Sequence, residues 1–382
     1  MHIVELLTPA YESAWLPWAV QYFFLAGIAT GAALLAAACA WAPRASAMAR
    51  LLPAAVLVLA VSAIAAPVSL LADLHQPARF WHFYAHFTPW SWMSVGALLL
   101  PVFVGLALAF VLAWWLGRPQ WLRWLAPLLA VSALTITAYT GAELMAVRSR
   151  PLWNTLWVPL NLALTGWLAT VGCMLVTARF LPARHRPDAG ALQALRILGL
   201  ALALCLLAMV AVWAVAGWLG QGRSFQAALQ LWQQFPVWRL SMLGSAVAGA
   251  ALLWALVRGG QRMACPRYTL ALGLGLAAAA WAFRWALFMG VQGVPKYGAG
   301  LYIYHMPLGG DGLLGMLGVA GLCIALVTLA TWALELFPAL GIRRGVAPAQ
   351  LPRDALDYLS PRRRVCYYFE RAVELDPPKV AS

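Results

Sequence analysis

The chain has 382 residues, of which 64% are hydrophobic and only 10% charged, more apolar side chain than one water-soluble core of that length can hide. The bulk solvent is therefore lipid. A formal net charge of +14 would suggest nucleic acid if the cations formed a patch on a soluble surface, but they fall between long apolar runs, where cations act as topology determinants.

Residues 1–14 hold Glu5 and Glu12 and no Lys or Arg, which does not fit the basic leader of a cleaved signal peptide. The first apolar run is expected to stay as a helix. Spanning a bilayer takes roughly 20 apolar residues, and nine runs qualify, at about 15–41, 51–72, 91–115, 125–144, 156–177, 197–219, 237–257, 268–289 and 313–336. The fold class is thus an all-α polytopic membrane protein of about nine transmembrane helices. Trp114, Trp115, Trp121, Trp124, Trp153 and Trp157 stand at the breaks between runs, where an amphipathic ring favours the headgroup layer as an aromatic belt.

Sorting the cations by alternate connections sets the orientation. Arg44 and Arg50, Arg118 and Arg123, Arg179, Arg184, Arg186 and Arg196, and then Arg258, Arg262 and Arg267 share a side with the basic tail around Arg362, Arg363 and Arg364. The opposite side holds only Arg79, Arg148, Arg150, Arg223, Arg239 and Lys296. The positive-inside rule then places the N-terminus outside and the C-terminus inside.

With that orientation the outer connections carry the unusual residues. Asp73, His75, Gln76, Arg79, His82, Tyr84 and His86 lie between the second and third spans, and Lys296, Tyr297 and Asp311 between the eighth and ninth. Polar residues within the spans lean the same way. Gln21 and Tyr22 fall only about 10 Å below the start of the first span at the helical rise. Tyr139 and Glu143, four apart and so on one face, match that height on the fourth span, and Asn161, Arg239 and Arg284 join the layer.

Ionisable groups at membrane depth are costly and by default mark a functional site. A quinone suits such a one-sided pocket, because its tail partitions into lipid while its ring needs hydrogen-bond partners for two oxygens and acceptors for two protons. The bland alternative is that Glu143, Arg239 and Arg284 snorkel or form packing ion pairs. His75, Arg79, His82 and His86 are spaced 4, 3 and 4 apart behind Pro77, which describes one stripe of an amphipathic interfacial helix.

No metal site is expected. The His82 and His86 pair has no local third ligand, and the six cysteines show no CxxC spacing, so no iron–sulfur cluster is encoded. All six histidines lie in terminal or loop segments, which argues against buried haem. The glycines at 298, 300, 309, 310 and 312 form no GxGxxG and read as turns. Two rival functions stay open: a secondary transporter binding a small anion near Arg239 and Arg284, which would place its site at midplane between repeats, and a purely structural anchor.

Four segments carry a resemblance. They are Trp15-Leu16-Pro17-Trp18-Ala19-Val20-Gln21-Tyr22-Phe23-Phe24 with Gly27 and Gly31; Ala72-Asp73-Leu74-His75-Gln76-Pro77-Ala78-Arg79-Phe80-Trp81-His82-Phe83-Tyr84 with Thr88-Pro89-Trp90-Ser91-Trp92-Met93; Tyr139-Thr140-Gly141 before Arg150-Pro151-Leu152-Trp153-Asn154; and Pro295-Lys296-Tyr297-Gly298-Ala299-Gly300. In this order they resemble the polysulfide-reductase (NrfD/PsrC-type) membrane-subunit family, the first two most of all its tetrathionate-reductase branch.

The resemblance implies four-helix-bundle units, with a first bundle over 1–178 holding a quinol site, a second over 179–340, and a cytoplasmic tail over 341–382. It implies a multi-pass protein of the bacterial inner membrane, exchanging electrons between the quinone pool (menaquinone or ubiquinone) and a ferredoxin-like iron–sulfur subunit docked on the periplasmic face. That subunit would in turn serve a molybdopterin catalytic subunit acting on tetrathionate, polysulfide or another sulfur compound. Carried over by position, Tyr139 and the Asp73-to-His75 segment match the family's quinone region. Glu143, one turn beyond Tyr139, is the expected proton relay, with Gln21, Tyr22, Arg79 and Asn161 as further ring contacts.

Overall fold

The computed structural model describes residues 15–74, 76–292 and 305–337. Among them, nine helices are long and apolar enough to cross a membrane. In chain order the α-helices are α1 (Pro17–Trp41), α2 (Leu52–Asp73), the short α3 (His82–Ala85), α4 (Trp92–Trp115), α5 (Pro119–Met145), α6 (Trp157–Thr177), α7 (Ala189–Trp218), α8 (Arg223–Gln234), α9 (Pro236–Arg258), α10 (Pro266–Trp285) and α11 (Leu313–Leu336). The chain is a multi-pass membrane protein.

Proline marks where several of these helices begin. Pro17, Pro119, Pro236 and Pro266 each sit in the first turn, where the missing N–H is no loss and the fixed φ suits the helix. Two spans start earlier than their apolar runs. α5 includes Trp121 and Trp124 because Pro119 opens it, and α7 begins at Ala189 because the Asp188 side chain accepts from the Ala191 N–H at 2.9 Å and caps it.

α1 is the hub. Its most apolar window is 72% buried, against 6% for α7 and for α9, so the core lies around α1 and the latter two helices form the periphery. α2, α5, α6 and α10 pack on α1, α4 joins α2 and α5, and α11 lies along α2. Close approach at the α6 interfaces depends on missing side chains. A Cβ on Gly166 would stand 2.9 Å from Gly27 Cα, and one on either Gly172 or Gly273 would stand 2.6 Å from the other's carbonyl oxygen. Small residues at such crossings let van der Waals packing replace the hydrophobic effect that lipid removes. Across the first of them Thr170 Oγ1 also donates to Ile28 O at 3.1 Å.

Two sequence expectations change, and one connection gains structure. The aromatic belt is only partly one: Trp121 and Trp124 are exposed, but Trp114 and Trp153 are buried, because the Trp153 indole donates to Leu287 O at 2.8 Å and Trp114 packs near His185. The stripe at 75–86 is not one interfacial helix. Pro77–Arg79 is a 3₁₀ turn and His82–Ala85 a single α-turn ending at His86, since a short aromatic-rich segment has too little helix propensity to sustain a longer run. The connection after α7 is a helix. α8 is amphipathic, and its Ser224 accepts from the Trp213 indole at 3.1 Å while Phe225 fills the space beside Gly217.

Candidate functional site

At the end of the bundle where α1 and α6 begin and α2, α5 and α10 finish, ionisable and polar side chains gather on several spans. Tyr22 and Gln21 are consecutive on α1 and so point about 100° apart. Their fates differ. Gln21 turns to α10, where its Oε1 accepts from the Trp281 indole at 3.3 Å. Tyr22 turns toward α5, close enough to Tyr139 and Glu143 for mutual electrostatic interaction.

On α5, Tyr139 and Glu143 lie one turn apart within hydrogen-bonding reach. The Tyr139 ring crosses to α4, which admits it only at Gly96: a Cβ there would stand 2.0 Å from the hydroxyl. Asp73, the last residue of α2, interacts electrostatically with Glu143. It also accepts from the Leu16 N–H at 3.2 Å, placing a carboxylate at the positive end of the α1 dipole. Asn161 sits in the second turn of α6. The structure therefore brings Tyr22, Asp73, Tyr139 and Glu143 together, sends Gln21 toward α10, and leaves Arg79 exposed in the connecting loop. His75 lies outside the described residues.

Three atoms of this layer are conspicuous. Tyr22 Oη, Glu143 Oε2 and Asn161 Oδ1 are buried and have no hydrogen-bond partner among the described residues. Buried polar groups are nearly always paired, and leaving one unpaired costs about 1–3 kcal/mol. Such a set on α1, α5 and α6 is what a polar ligand or ordered water would satisfy.

Just below this layer is a crevice lined by Phe23, Gly27 and Thr30 of α1, Thr137 and Thr140 of α5, Leu162 and Ala163 of α6, and Arg284 of α10. It has room for about one water. Arg284 is completely buried. Its guanidinium donates to Phe23 O at 3.2 Å, Thr165 Oγ1 at 3.1 Å, Ala280 O at 3.3 Å and Leu162 O at 3.0 Å. Arg239, by contrast, is exposed on α9, so the two arginines do not share a pocket.

A clamp braces the same end. Gln292 accepts from Trp15 N at 3.0 Å and donates to Trp15 O at 3.1 Å, fastening the chain's entry into α1. Arg150 donates to Val291 O and Gln292 O. Trp15 stacks on Trp153 at 5.2 Å and meets Phe288 at 5.4 Å. Phe288 lies in a π-helical turn, Ala286–Gly290, a feature that recurs at functional sites. Sequence reasoning missed Gly96, Gln292 and the crevice threonines. Only Gly27 and the Arg150–Asn154 segment carried a signal for their neighbourhood. Among the described residues no three His, Cys, Asp or Glu side chains come together as a metal-binding group.

Residues 7–295 match the model of the family described as polysulphide reductase, NrfD. The chain belongs to that family. It is also similar to a tetrathionate reductase subunit of Salmonella typhimurium, 36% identical over 338 residues that cover 86% of this chain and 94% of the relative. The Arg150–Asn154 segment, one of those that carry the NrfD resemblance, is here the strut that holds the ends of α1 and α10 together.

Proposed function

We propose that this chain is the membrane subunit of a sulfur-compound reductase complex, tetrathionate being the first substrate to test, and that it oxidises quinol for that complex. The direction of flow reverses in a host that oxidises the sulfur compound. The relative's name supports the membership of a tetrathionate reductase. The quinol role rests on one observation above all: the buried oxygens Tyr22 Oη of α1 and Glu143 Oε2 of α5, unpartnered among the described residues, meet beside Tyr139, at the end of the bundle where α6 holds a third such oxygen on Asn161.

In this reading the menaquinone or ubiquinone ring lies over the crevice with its tail in lipid. Tyr139 and His75 hydrogen-bond the ring oxygens, Tyr22, Gln21, Arg79 and Asn161 line the approach, and Asp73 or Glu143 passes the released protons to the outer phase. Electrons leave to a ferredoxin-like iron–sulfur subunit on the periplasmic face of the inner membrane and reach a molybdopterin catalytic subunit. The bundle division at about residue 178 and the inward C-terminus belong to the same proposal.

The test is quinol oxidation by the purified complex. A Tyr139→Phe, Glu143→Gln double variant that assembles with its partners is expected to lose about 10²-fold or more of the quinol-linked rate, the scale of one positioned acid–base group, while reduction of the terminal substrate by an artificial donor stays intact. Full quinol oxidation in that variant would reduce the chain to a structural anchor.

A further inference from the structure

Buried cations are normally paired with carboxylates, because the desolvation penalty of an isolated one amounts to several kcal/mol even after relaxation. Arg284 departs from this. It is wholly enclosed between α1, α6 and α10, and all four of its hydrogen-bond partners are neutral oxygens. Among the described residues, no carboxylate lies within 4.0 Å of it, the ion pair present being Arg50 with Asp188. Its guanidinium edge reaches the crevice through the gap left by two glycines, for a Cβ on Gly27 would stand 2.8 Å from Nη2 and one on Gly166 3.0 Å.

The walls of the crevice sharpen the point. Thr30, Thr137 and Thr140 each donate the hydroxyl proton to a carbonyl of their own helix, and the other lining side chains are apolar apart from Arg284. Among the described residues, Arg284 is therefore the one side-chain donor left facing a space that fits a single oxygen.

We propose that Arg284 holds a negatively charged ring oxygen in this crevice, namely that of the deprotonated quinol, an inference that rests on the quinol reading above. The step is an acid–base one: the quinol O–H bond breaks, its electron pair stays on the oxygen facing Arg284, and the proton goes to the Glu143 carboxylate. The anion supplies the counter-charge that the fold withholds, and the cation lowers the cost of forming it before electrons leave.

The experiment compares two ring mimics on the purified complex: a hydroxyquinoline N-oxide, which is a weak acid, and its O-methyl ether, which cannot ionise. Binding is measured across a pH series spanning the acid's ionisation. The titratable groups facing this end are Tyr22, Asp73, Tyr139 and Glu143, so the series is repeated in Glu143→Gln. The native complex is expected to prefer the acid over the ether by about tenfold or more once it ionises. Arg284→Gln is expected to abolish that preference while keeping ether affinity, and Arg284→Lys to restore part of it. Equal pH courses for the two mimics in the native complex would overturn the inference, even if Arg284→Gln fails to assemble. Binding of neither mimic would overturn the quinol reading beneath it.

Discussion

The Tyr139 hydroxyl occupies the space that a side chain on Gly96 would fill, 2.0 Å from where its Cβ would stand. Glycine at this point of α4 thus sets where the phenol of α5 lies, although the two residues are 43 positions apart in the sequence. Gly96→Ala is expected to push the hydroxyl aside and lower the quinol-linked rate by up to about 10²-fold, the cost of displacing a catalytic group by about 1 Å. The complex should still assemble, since the added methyl group meets the far end of the Tyr139 side chain and not backbone. Steady-state kinetics with a soluble quinol check this; an unchanged rate would show that Tyr139 position is not limiting.

Gln292 is the pin of the α1 entry. It is 2% exposed and bonds both the N–H and the carbonyl of Trp15. Gln292→Leu keeps the volume but leaves both backbone groups unpaired, a loss of about 1–3 kcal/mol for each buried group left unsatisfied. A lower thermal midpoint in detergent is the expected result. A midpoint equal to that of the native protein would show that the aromatic stack alone holds this end.

The fold was legible to the extent that lipid dictates it. Nine apolar runs became nine spanning helices because every backbone group in lipid must bond within its own segment. Helix ends are less legible where a side-chain cap or a proline starts the helix ahead of its apolar run, as at Asp188 and Pro119. The site was half legible. Tyr139 and Glu143 share a face by spacing alone, but Gln21 and Tyr22 stand at the same depth and only the rotation of α1 decides which one faces α5. Gly96 and the Gly27–Gly166 contact answer to partners on other helices, and no local pattern announces them.

His185 gives the opposite end a pH signature. It lies in the turn between α6 and α7, 2% exposed, beside Trp114 at 5.8 Å, with both ring nitrogens unpartnered among the described residues. Burial, aided by the Arg184 charge, pushes its pKa from 6.5 down to about 4. Between those values the unfolded chain binds the proton and the folded one does not, so stability rises with pH across this window and is lost as pH falls from about 6.5 toward about 4. The thermal midpoint should therefore be lower at pH 5 than at pH 7, and His185→Phe should shrink the difference. An equal drop in both proteins would assign it to other groups.

In the proposed quinol reading, orientation decides which aqueous phase receives the protons, and the charge pattern predicts it. The connections at the α1-entry end hold few arginines, while the opposite end carries Arg44, Arg50, Arg118, Arg179, Arg184 and Arg186, the pattern that the positive-inside rule predicts for the cytoplasmic side. Ala78 and Ala45 are exposed at the two ends and report on them without touching the site. In intact spheroplasts, a membrane-impermeant thiol reagent is expected to label Ala78→Cys and to spare Ala45→Cys until the membrane is opened, with the parent's own labelling subtracted. The reverse pattern would put Tyr139 and Glu143 on the cytoplasmic side, so that quinol oxidation there would release its protons inward and an iron–sulfur partner would have to dock on that face.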